Sequence, residues 1–172
     1  MKIRCVWCAR VLRPSQLISP GRNSPLFHLL GEDRYEIFDC RGSHNKLGFA
    51  LLPGSVRLIG RFPIYFDALP APLLAHVCQQ LKIAGLLFLA YPQRSATLHE
   101  HKERIKIYLG LSQFIPDEHP PLGRDFVREQ VCAGIPPDEL TERVEEQLRS
   151  LNFVLPGVTV WQKLVSAALT PY

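Results

Sequence analysis

Fifteen prolines are spread along this chain of 172 residues, and they set the limit on what it can fold into. Proline lacks a backbone N–H and fixes φ, so it breaks helix interiors and central strands. The elements should therefore be short and often interrupted. The chain is 47% hydrophobic with only 11 glycines, which supplies a core and rules out disordered or collagen-like classes. The length suits one domain, or two very small ones.

Between the prolines the apolar spacing is helical. Residues 1–25 have no clear period and read as irregular, with one short strand at Ile3–Trp7. A short helix fits Glu32–Asp39, with acidic residues in its first turn, where the macrodipole favours them. Gly42 allows a turn, Ser43 can cap the next helix, and Leu47, Ala50, Leu51 and Leu58 form its apolar stripe. Pro53-Gly54 is expected to split it. Pro70-Ala71-Pro72 opens a further helix with Leu74, Val77 and Leu81 buried and Gly85 as its stop. Thr97 and Glu100 have capping-box spacing ahead of a helix carrying His101, Ile105 and Tyr108 on one face. Residues 112–124 read as a loop. Pro136-Pro137-Asp138 caps a helix with the stripe Leu140, Val144, Leu148 and Leu151, and Val158–Leu169 is the last helix. The expected fold is all-α, a domain of six or seven helices at 26–172 behind an irregular segment at 1–25.

Charge is uneven. Residues 1–61 carry 10 basic and 4 acidic side chains, whereas residues 62–172 carry 10 and 12. A basic front half suits a polyanionic partner. The five cysteines are too few and too scattered for a disulfide scaffold, and read as reduced thiols of a cytoplasmic protein. The longest apolar run, Ile83 to Tyr91, is too short to span a membrane, and MKIRCVWCARVLRP is not a signal peptide.

Few residues invite catalysis. Cys5-Val-Trp-Cys8 has the spacing of half a zinc site, which Cys40 and His44 could complete, but that second half is irregular and no metal is expected. His99 and His101 lie at i, i+2, on different helix faces. The carboxylates of Asp138–Glu146 read as a solvated face beside Arg143 and Arg149. No nucleophile triad, phosphate-binding glycine loop or HExxH sequence is present. Two polar clusters remain. In Arg41-Gly42-Ser43-His44-Asn45-Lys46, basic and amide side chains sit at a helix start, where free N–H groups favour an anion. There Asn45 could read an adenine edge and Arg41 a guanine. The second comprises Arg94, Thr97, His101, Lys102, Arg104 and Lys106. On residue type and spacing alone, either cluster reads first as a solvated helix end.

The stretch Arg41-Gly42-Ser43-His44-Asn45-Lys46-Leu47-Gly48-Phe49-Ala50-Leu51 resembles the RG-x-HN-x-LGFAL signature of the N-terminal domain of Tn3-family transposases. Arg61-Phe62-Pro63 follows at the family's distance. Tyr91, Arg94, Thr97, Glu100, His101 and Ile105 resemble its Y-x-x-R-x-x-T-x-x-EH-x-x-x-I pattern, and Leu155-Pro156-Gly157-Val158-Thr159 with Leu164-Val165 its closing segment. The resemblance implies a helical domain that recognises the terminal inverted repeats of a transposon. It implies DNA contacts from Arg41, His44, Asn45, Lys46, Arg94, Thr97, His101, Lys102 and Arg104. The partners it implies are double-stranded DNA and a further transposase chain, at the bacterial nucleoid, with no cofactor. It places the RNase H-like catalytic domain and its three acidic metal ligands beyond Tyr172, so no enzyme activity is expected of this chain. The alternative is a degenerate transposase fragment that serves as a small protein-interaction module or has no function. A third reading is a zinc-stabilised regulatory protein built on Cys5, Cys8, Cys40 and His44.

Overall fold

A computed structural model describes residues 28–63, 69, 71–92 and 94–169. The expected strand at Ile3–Trp7, and Cys5 and Cys8, lie outside the described residues. The fold is all-α. Among the described residues there are seven α-helices: α1 Gly31–Phe38, α2 Ser43–Ile59, α3 Ala71–Leu81, α4 Ser95–Leu109, α5 Arg124–Cys132, α6 Pro137–Ser150 and α7 Val158–Leu169. Two 3-10 turns, Gly85–Ala90 and Pro120–Leu122, and two strands, β1 Ser112–Gln113 and β2 Phe153–Val154, complete the set. The chain divides into two compact units, residues 1–105 and 106–172.

In the first unit α2 is the central element. It packs against α1, α3 and the first 3-10 turn, and it is buried without interruption from Leu47 to Val56. A helix that is apolar on every side belongs in a core. Pro53 lies inside it and does not split it, contrary to the expectation from Pro53-Gly54. An interior proline costs about 3 kcal/mol. Fully burying Leu47, Phe49, Leu51 and Leu52 contributes about 1.5–3 kcal/mol each, so continuing the helix wins. Gly60, at φ 74° with its N–H on the Val56 carbonyl, ends α2 in the left-handed cap that glycine favours. Asp33 fastens α1 to α2. Its buried carboxylate accepts from the Leu30 N–H and from both terminal nitrogens of Arg57, at 2.7 and 3.2 Å.

Three expected boundaries shift. Ser43 is the first helical residue of α2 and Gly42 the cap, so the Ser43 hydroxyl does not cap the helix. α3 ends at Leu81 rather than at Gly85. Lys82 takes φ 56°, and the Ile83 N–H reaches back to the Cys78 carbonyl, which closes the last turn three residues early. α4 starts at Ser95, where the Arg94 carbonyl already accepts from the Thr97 and Leu98 amides. Thr97 therefore sits within the first turn and opens no capping box.

The second unit is built on Phe114, Val127, Val144, Leu148, Leu155, Trp161 and Leu164. Helix α5 packs against α6 and α7. The strands pair in parallel, Ser112 with Phe153 and Gln113 with Val154. Leu140, Val144 and Leu148 of α6 are buried as expected, but Leu151 lies past the helix end and is exposed. Glu145 departs from the expected solvated face: it is buried, and Arg149 lies 3.6 Å from its carboxylate.

Candidate nucleic-acid interface

The first cluster forms as the sequence suggests, at the start of α2. Gly42 holds φ 82°, and the His44 ring lies against it so closely that a Cβ there would stand 3.0 Å from the ring. Only glycine fits both constraints comfortably. No side chain caps this helix start, and its first turn holds no acidic residue. The leading N–H groups and Lys46 thus leave a positive end. Arg41 is exposed, and among the described residues its guanidinium has no ion-pair partner. The Lys46 ammonium lies 5.0 Å above the Phe38 ring. Asn45 donates one amide N–H to the Arg41 carbonyl at 2.9 Å, while its Oδ1 is buried with no partner. In this conformation the Asn45 amide secures the turn, and a two-bond contact to an adenine edge would require it to swing away.

The second cluster divides in two. Arg94 is exposed at the head of α4 and Thr97 is half-buried one turn on. The Lys102 ammonium lies 5.6 Å over the Phe62 ring, and burial pushes its pKa down. His101 and Arg104 turn inward instead. His101 is 4% exposed, with Tyr91 Oη 2.9 Å from Nδ1, Cys40 Sγ 3.8 Å from Nε2, and the Phe49 ring edge-on. Burial, then the Arg104 charge, pushes its pKa down. Arg104 reaches the Glu36 carboxylate at 2.9 Å, the Glu36 carbonyl at 3.1 Å and the Asp39 carboxylate at 3.2 Å, and lies over the Phe49 ring.

The two motif strings are thereby brought together in the interior. Tyr91 lies on Gly48, so that any Cβ at position 48 would fall inside the Tyr91 ring. Cys40, one residue before the first string, meets His101 and Arg104 of the second. Three residues that matter here, Cys40, Gly48 and Tyr91, were not among the expected contacts. The only sequence signal for Gly48 and Tyr91 is their place in the motifs. The Cys40 thiol faces the Glu36 carbonyl, His101 and Arg104, and burial pushes its pKa up. Among the described residues no three His, Cys, Asp or Glu side chains converge on a metal position.

Residues 7–168 match the family model described as a domain of unknown function, DUF4158. The match begins ahead of Leu26, where the motif resemblance starts. Three relatives are transposases. The transposase for insertion sequence element IS1071 in transposon Tn5271, of Comamonas testosteroni, is 30% identical over 155 residues, covering 88% of this chain and 16% of its own length. That for transposon Tn501, of Pseudomonas aeruginosa, is 28% identical over 75% of this chain and 13% of its own. That for transposon gamma-delta, of Escherichia coli, is 36% identical over 51% of this chain and 9% of its own. The chain belongs to the DUF4158 family, an N-terminal domain of Tn3-family transposases. As a member of that family, it spans less than one fifth of the length of these curated relatives. The motif resemblance and the family match therefore agree, and no helix among the described residues is long and apolar enough to cross a membrane.

Proposed function

We propose that this chain binds duplex DNA at the terminal inverted repeats of a transposon, and that it does so without carrying out strand cleavage itself. The observation that carries the reading is the start of α2: an uncapped helix end, with exposed Arg41 ahead of it and Lys46 in its first turn, in a chain whose relatives are transposases. A phosphate oxygen suits such an end, because the leading N–H groups need acceptors and the dipole favours negative charge. The proposed contacts are Arg41, His44, Asn45, Lys46, Arg94, Thr97 and Lys102. Of the residues expected from the resemblance, His101 and Arg104 are taken up by the interior and act through the others. The work would take place in the bacterial cytoplasm, at the nucleoid.

The reading is tested by fluorescence anisotropy with labelled inverted-repeat duplex from a transposon such as Tn501, against a shuffled duplex of equal length, at low salt. Tighter binding to the repeat supports it, and no binding to either duplex rejects it. A second reading, a protein-interaction module, is favoured by Leu86 and Leu89, which are 80% and 84% exposed on the first 3-10 turn. Replacing both by Ser would leave DNA binding unchanged under the first reading.

A further inference from the structure

The side chain of Arg104 converges on one short stretch of chain, the end of α1 and the turn that leads to Arg41. Its Nη2 serves the Glu36 carboxylate, the Glu36 carbonyl and the Asp39 carboxylate, and its Nη1 lies 3.8 Å from Cys40 Sγ. The Glu36 carbonyl belongs to the last turn of α1, which has no basic residue of its own. The C-terminal end of a helix is negative and its last carbonyls lack intrahelical partners. Glu36 and Asp39 add two carboxylates at the same end. Left alone, this group would repel a phosphate approaching Arg41, two residues past Asp39.

We infer that Arg104 is a positioning residue for the proposed DNA site, holding the Asp39–Gly42 turn and offsetting part of the charge of Glu36 and Asp39 so that Arg41 and the start of α2 face an anion. This rests on the DNA-binding reading above. Arg104 itself touches no DNA: its fork is spent on α1 and the turn, and its face on the Phe49 ring, 5.0 Å from the guanidinium carbon. Lysine would keep the charge but has only one nitrogen, and so could not serve Glu36 and Asp39 as Nη2 does while Nη1 reaches Cys40 Sγ.

The test uses the full chain, two readouts and a cycle of variants. Binding to labelled inverted-repeat duplex is measured for the unmodified chain, Arg104→Gln, Glu36→Gln with Asp39→Asn, and all three changes together. Arg104→Gln should weaken binding roughly tenfold, since two unscreened charges then lie within a Debye length of the phosphate. Removing the carboxylates should restore most of that loss in the Arg104→Gln background and change little in the unmodified one. If the carboxylate changes act equally in both backgrounds, Arg104 is a direct contact or a mere fold element, and the inference is wrong. The second readout needs no DNA. Amide hydrogen exchange across residues 39–46 should quicken in Arg104→Gln and partly in Arg104→Lys, while the amides of α3 stay unchanged. Unchanged exchange at 39–46, or loss of protection throughout, overturns the inference. Failure of the unmodified chain to bind DNA would reject the DNA-binding reading instead, with the exchange readout still deciding whether Arg104 orders the turn.

Discussion

The Tyr91 hydroxyl lies 2.9 Å from Nδ1 of His101 and ends a buried hydrogen-bond chain that runs through the Cys40 thiol. The Cys40 thiol donates to the Glu36 carbonyl at 3.6 Å and its sulfur accepts from Arg104. The sulfur then takes the His101 Nε2–H, which leaves Nδ1 as the acceptor for the Tyr91 hydroxyl. Every member is satisfied by a neutral imidazole with its proton on Nε2. Burial, followed by the Arg104 charge, favours the same neutral form.

Tyr91→Phe removes the donor and leaves Nδ1 buried without a partner. The cost is expected at about 1–3 kcal/mol, the desolvation penalty of an orphaned acceptor. Urea unfolding of the variant and the unmodified chain measures it; a change within error would mean that the bond contributes nothing.

Stability should fall as the medium is acidified through the range where free histidine titrates. His101 has its folded pKa below its ordinary value of 6.5. Below about 6.5 the unfolded chain binds the proton more readily than the folded one, so stability drops from there down to the folded pKa. Tyr91, Cys40, Arg104 and Glu100 are the titratable groups around it, and Glu100 opposes the shift. His101→Asn should show a shallower loss between about pH 7 and pH 5. Parallel curves for the two proteins would contradict the prediction.

Gly48→Ala decides between two opposite effects. In an ordinary helix interior the change stabilises by about 0.5–1 kcal/mol. Here the added methyl meets the Tyr91 ring, and overpacking costs about 1–3 kcal/mol. Thermal unfolding should show a lower midpoint, and a higher one would mean that Tyr91 yields freely.

The purified chain should not nick or join transposon-end DNA in the presence of Mg²⁺ or Mn²⁺. An assay on a supercoiled plasmid carrying both inverted repeats checks this, and nicking that co-purifies with the chain through successive columns would overturn it.

Much of the helical layout was legible because burial imposes a period. Leu140, Val144 and Leu148 mark α6, and Val158–Leu169 was placed to the residue. Helix α5 was missed: proline-rich sequence flanks Arg124–Cys132, and of its nine residues only Val127 is fully buried. Pro53 by itself predicts a break in α2, and the burial of its neighbours, which a local rule does not contain, overrides it. For the candidate site, residue type was legible and direction only in part. His101 shares a helix face with the buried Ile105, as its spacing indicates, but Arg104 looks like a surface cation in sequence, and Glu36 and Asp39, far away in the chain, draw it inward. Nothing in helical spacing carries that information.

The salt dependence of binding to inverted-repeat duplex, for the unmodified chain and for Lys46→Glu with Arg94→Glu, tests the central claim most directly. Each phosphate contact contributes about 0.9 to the magnitude of the slope of log K against log salt. The unmodified chain should bind at low salt and lose affinity steeply as salt rises. The double variant should not bind measurably, while its unfolding free energy stays within about 1 kcal/mol, as is usual for surface changes. No binding by the unmodified chain at low salt, or equal binding by the double variant, would contradict the account.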